Sequence, residues 1–78
     1  MKLRTLINVI GLYTAVRIED AEFNVIAEVE ALKLSESVIY KETIDNAIYN
    51  RNKKIKEYMN REVKLVRAIE NRLAVCID

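Results

Sequence analysis

The chain has 78 residues, 51% apolar and 32% charged, with 13 basic and 12 acidic side chains and a formal net charge of +1. That length specifies one small domain with a thin core, burying only about 60% of the surface its unfolded chain exposes, and the composition excludes a disordered chain. With no histidine, no proline, one glycine and one cysteine, the chain cannot build an internal disulfide, the usual zinc sites, a nucleophile–histidine pair or a glycine-rich phosphate loop. We therefore assign no catalytic, cofactor-binding or metal-ligating residue, expect no cofactor, and expect that the protein is not an enzyme.

Taken in order, Leu3, Leu6, Ile7 and Ile10 fall at helical spacing, the stripe of a short amphipathic helix that Gly11 would end. Val16 and Ile18 then alternate with Arg17 and Glu19, the period of a half-buried strand. Ala27, Val29 and Ala31 alternate with Glu28 and Glu30, which reads as a returning strand, although Ile18, Ala21, Val25, Val29 and Leu32 also make a helical stripe. The hairpin is preferred for its β-branched content and strict alternation.

Ser35 or Ser37 could cap the next element. Ile44, Ile48, Ile55 and Met59 lie near one helical face, predicting a main helix from Thr43 to Arg61 that could start as early as Val38. Val38-Ile39-Tyr40 also reads as a third short strand. The last stretch, Glu62 to Asp78, holds two β-rich runs around the polar pair Glu70-Asn71, a second hairpin signal. It echoes the first: Val16-Arg17-Ile18 followed by Ala21, Asn24, Ile26 and Ala27 matches Val63-Lys64-Leu65 followed by Ala68, Asn71, Leu73 and Ala74. In both, an Asn stands where the chain reverses, a residue that tolerates the left-handed conformation of such turns. The expected fold is α+β in the order α-β-β-α-β-β: a small antiparallel sheet of two hairpins, with one short and one long helix packed on it.

Charge is unevenly placed. Glu19, Asp20, Glu22, Glu28 and Glu30 form an acid-rich stretch that lacks the spacing and glycine of an EF-hand loop, so it reads as a solvated hairpin end. Cys76, between Val75 and Ile77, reads as a small apolar strand residue. The basic stretch is the candidate partner-binding surface: Tyr49, Arg51, Lys54, Tyr58, Arg61 and Lys64. On one helix Arg51, Lys54, Tyr58 and Arg61 would form a cationic stripe with an aromatic, suited to a protein hot spot or, alternatively, to nucleic-acid phosphates and stacked bases. A third reading is an oligomer that sequesters a nucleotide between subunits. A final strand at an open edge could also extend its sheet into a partner or a second copy. So thin a core favours self-association, so a homodimer or higher oligomer is expected. The N-terminal residues carry no secretory pattern, and no stretch reaches the ~18 apolar residues of a membrane span. An intracellular, cytoplasmic protein is expected.

A leucine-rich opening helix like Leu3 to Ile10, a strand of the type Val16-Arg17-Ile18, and Met59-Asn60-Arg61-Glu62-Val63 leading to a hairpin that closes on Leu73-Ala74-Val75-Cys76-Ile77 together resemble a group of very small phage and prophage proteins of low-GC Gram-positive bacteria. The likeness covers the two ends by residue type, and Ser37 to Asn60 departs from it by being longer and more helical. The resemblance carries over no functional residue. It implies an accessory protein in a bacterial host that acts by binding, for example by blocking a host defence protein such as a CRISPR nuclease.

Overall fold

A computed structural model describes residues 1–31 and 41–78. Helix α1 spans Leu3–Val9 and buries Leu3 and Ile7. The first N–H groups of a helix lack intrahelical partners, and here they are met by a distant segment. Leu3 donates to the Arg61 carbonyl and Arg4 to the Met59 carbonyl, each at 2.9 Å. The helix ends where Ile10 turns extended (ψ 127°). Gly11 follows that break and does not adopt a left-handed conformation.

Strands β1 (Ala15–Glu19) and β2 (Val25–Val29) form the first antiparallel hairpin. Its turn is organised by one carboxylate, because Asp20 Oδ1 accepts the amides of Glu22 and Asn24, both at 2.9 Å. The second hairpin joins β3 (Val63–Ile69) to β4 (Arg72–Ile77). Positive φ falls on Phe23 (66°) and Glu70 (51°), so in each hairpin the left-handed residue is the one before the Asn, not the Asn. In the first turn Asn24 instead closes the loop just before β2, its carbonyl accepting the Asp20 amide at 2.9 Å.

Helix α2 runs Lys41–Lys54 and packs against β2, followed by a 3-10 turn at Lys56–Tyr58. The class and element order are those expected from the sequence. The expected strand at Val38-Ile39-Tyr40 and the Ser35/Ser37 cap lie outside the described residues. The sheet differs from expectation in one respect. Its order is β2-β1-β4-β3, and β1 pairs with β4 in parallel, so two antiparallel hairpins make a mixed sheet.

The register gives four rows across the sheet. Ala27, Ile18, Val75 and Val66 form one, and Val29, Val16, Leu73 and Ala68 the next. These face the helices, and Val16, Ile18, Val29, Val75 and Ile77 close the core with Leu3, Ile7, Ile55 and Met59. Fully burying one such aliphatic side chain stabilises by about 2 kcal/mol. Val66, at the β3 end of its row, is 43% exposed, so this layer thins towards β3.

Gly11 is exposed, and a Cβ added there would meet nothing within 4 Å. Gly11→Ala is therefore expected to raise stability by about 0.5 kcal/mol, through a less flexible unfolded chain. Urea denaturation would show it as a higher midpoint at unchanged slope.

Candidate functional site

The expected helix from Thr43 to Arg61 is not continuous. Ile55 leaves the helical conformation (φ −116°, ψ 14°) after Lys54. Tyr58, Met59 and Arg61 then donate to carbonyls three residues back, at 2.9, 3.4 and 3.0 Å. The tightened path returns Met59 to the core beside Ile55 and turns the Met59 and Arg61 carbonyls to the start of α1. The stripe of Arg51, Lys54, Tyr58 and Arg61 on one helical face is thereby broken.

Its members have separate surroundings. Arg51 is half-buried and donates through Nη1 to the Ile10 carbonyl at 3.4 Å, satisfying the C-terminal end of α1. Burial pulls its pKa below the ordinary arginine value. Tyr58 is half-buried against the core, and a hydrogen bond to the Glu57 carboxylate, with some desolvation, raises its phenol pKa. Arg61 and Lys64 both lie 3.8 Å from the Asp78 carboxylate. Lys54 is exposed at the end of α2, and Tyr49 is 66% exposed.

The break creates a feature that helical periodicity does not show. Because α1 is tied by its backbone to Met59, Arg4 comes to face the last turn of α2 and the 3-10 turn. Arg4, Tyr49, Asn52, Lys53, Lys56 and Met59 line an open concavity of about 440 Å³. Among the described residues none of its three cations is in an ion pair, and no carboxylate lines it. Of the expected site residues Tyr49 alone lines it, and the other linear signal is the density of lysines at positions 53–56. Arg4 lies far away in sequence and belonged to no expected site.

The sheet face away from the helices carries the other polar constellation. Its two rows read Glu28, Arg17, Ala74, Arg67 and Val25, Glu19, Cys76, Leu65. Arg17 and Arg72 approach Glu28 Oε1 at 3.4 and 3.5 Å. Arg67 Nη2 is hydrogen-bonded to the Glu19 carboxylate, and its guanidinium lies 5.0 Å from the centre of the Phe23 ring. Cys76 is buried and donates its thiol to the Asp20 carbonyl at 3.0 Å, in keeping with a structural role. Among the described residues no group of three or more acidic or thiol side chains is arranged to hold a metal, and no helix is long and apolar enough to cross a membrane.

Comparison with protein-family models, curated proteins and solved structures finds no match.

This geometry has two testable outcomes. The Glu19 side chain is 4% exposed and Arg67 39%, so Arg67→Met leaves a nearly buried carboxylate without its cation. A loss of about 2 kcal/mol is expected, below the cost of breaking a fully buried pair because Arg67 is partly solvated. The double variant Glu19→Met/Arg67→Met should be more stable than Arg67→Met in urea titrations. The second outcome concerns Asp20, whose carboxyl is held below its ordinary value of 3.8, chiefly by the Asn24 amide and also by that of Glu22. A depressed carboxylate contributes stability above its unfolded value, lost as pH falls through the folded one. Below about pH 4 the first hairpin should therefore loosen. Carboxyl NMR titration should place the Asp20 midpoint below the ordinary aspartate value, and Asp20→Asn should weaken the pH dependence.

Proposed function

We propose that this chain is a non-catalytic accessory protein of phage type that binds a host protein and inhibits it, with β3 as its principal contact. The observation that carries this reading is the outer edge of the sheet. Strand β3 is seven residues long and paired on one side only among the described residues. Leu65 is 44% and Val66 43% exposed, one on each face of the sheet. An unpaired edge supplies main-chain donors and acceptors for an added strand, while alternate side chains select the partner. Lys64, on the same strand, is already 3.8 Å from the Asp78 carboxylate, so the main chain and the apolar side chains carry the contact.

Two expectations change accordingly. The final strand β4 is central, so strand addition falls to β3. Tyr58 and Arg51 support the fold, so they are poor probes of binding. The same edge is also the natural joint for a second copy of the chain.

The test is retention of a host protein from bacterial lysate at moderate salt after nuclease treatment, then assay of that protein's activity. Leu65→Lys/Val66→Lys changes exposed side chains and should leave the melting temperature within a few degrees. It should abolish both retention and inhibition. Undiminished retention by that variant would rule out β3 as the contact.

A further inference from the structure

We propose that the concavity between α1 and the junction of α2 with the 3-10 turn binds a nucleoside polyphosphate. This goes beyond the protein-binding edge at β3, since no residue of β3 lines it.

Its size, about 440 Å³, falls in the range of about 300 to 1,000 Å³ typical of small-molecule sites. Its chemistry is divided as such a ligand requires. Arg4, Lys53 and Lys56 come from three elements and meet over one opening. The C-terminal end of a helix carries roughly half a negative charge, which Lys53 and Lys54 at the end of α2 offset. Arg4 and Lys56 remain as surplus positive charge. Arg4 can take two phosphate oxygens at once through its planar fork, whereas the lysines act as point charges.

The remaining lining residues suit a base. Tyr49 offers an exposed ring, and stacking on an aromatic is indifferent to base identity. Asn52 supplies an amide with both donor and acceptor capacity. Met59, 7% exposed, gives the floor an apolar, polarisable surface. Lys53 and Lys56 also line a neighbouring hollow of about 520 Å³, but the Glu57 carboxylate lines it too, so the phosphates are assigned to the first concavity, where no carboxylate lines the wall. The arrangement is held in place by the backbone bond from Arg4 to the Met59 carbonyl at 2.9 Å, which does not depend on the charged side chains.

The test titrates the purified protein with ATP, GTP, inorganic triphosphate, adenosine and a single-stranded oligothymidine, following heat of binding and melting temperature at two salt concentrations. ATP or GTP is expected to bind and to raise the melting temperature by mass action. Lys53→Glu/Lys56→Glu should abolish that binding with the unliganded melting temperature preserved. Tyr49→Ala should weaken it roughly tenfold, and Leu65→Lys/Val66→Lys should leave it unchanged. Inorganic triphosphate binding as tightly as ATP, with no effect of Tyr49→Ala, would overturn the proposal in favour of a plain anion patch. Binding of the oligothymidine alone, with steep salt dependence, would overturn it in favour of a polymer-binding surface. The absence of any shift at millimolar nucleotide would overturn it outright.

Discussion

The fold depends on how β4 is seated between the two hairpins. Towards the helices it presents Leu73, Val75 and Ile77, and on its other face, beyond Arg72 at its start, the small residues Ala74 and Cys76. Those small side chains leave room above the strand for Arg67 of β3 to reach Glu19 of β1. Charged pairs taken from water are costly when badly placed. Here the pair is partly solvated at the arginine end and has Phe23 against its guanidinium. A larger residue at position 74 would come between the partners, so the ion pair and the small residues of β4 are one structural device. It fastens the second hairpin to the first across the parallel joint, where no tight turn connects them.

The helical layer depends on the same joint from its other side. Ile18 and Val75 are neighbours across it, and with Val16 and Ile77 they make the surface on which Leu3, Ile7, Ile55 and Met59 close. To reach that surface, the chain after α2 must tighten into a 3-10 turn, because a straight α-helix could not turn Met59 inward and also offer the Met59 and Arg61 carbonyls to α1. The cationic concavity is a product of this packing requirement. Four of its six lining residues lie between positions 49 and 56, and Arg4 joins them because α1 is fastened there.

Much of this was legible in the sequence. The alternation of Val16 and Ile18, the echo of one hairpin in the other, and the stripe of Leu3, Leu6, Ile7 and Ile10 are local patterns, and local patterns survive folding. The burial of Ile55 and Met59 was legible too, but the path that carries them was not, because a 3-10 turn repeats every three residues and keeps nearly the same apolar spacing over so short a run. The parallel joint is a long-range pairing that strand alternation cannot specify. Its one trace is that β4 is apolar at five consecutive positions, from Leu73 to Ile77, as a strand covered on both faces should be. Reading only the alternation of Leu73, Val75 and Ile77 concealed that Ala74 and Cys76 are buried as well.

For the candidate sites the division is sharper. A linear stripe treats all cations alike, whereas the fold sorts them by what each is already doing. Arg51 satisfies the end of α1, Arg61 and Lys64 share Asp78, and Arg67 holds Glu19. A cation already engaged must surrender its partner before it can meet a new one, so its net contribution to binding is small. Arg4, Lys53 and Lys56 are in no ion pair among the described residues. Clustering three like charges works against the unliganded fold, and a bound anion would relieve that cost. The same reasoning applies to the uncharged surface, where the β3 edge, unpaired among the described residues and flanked by exposed Leu65 and Val66, leaves main-chain groups and apolar area that an added strand would complete. The two proposed surfaces thus differ in what would satisfy them: phosphate charge at the α1–α2 concavity, and an added strand at β3.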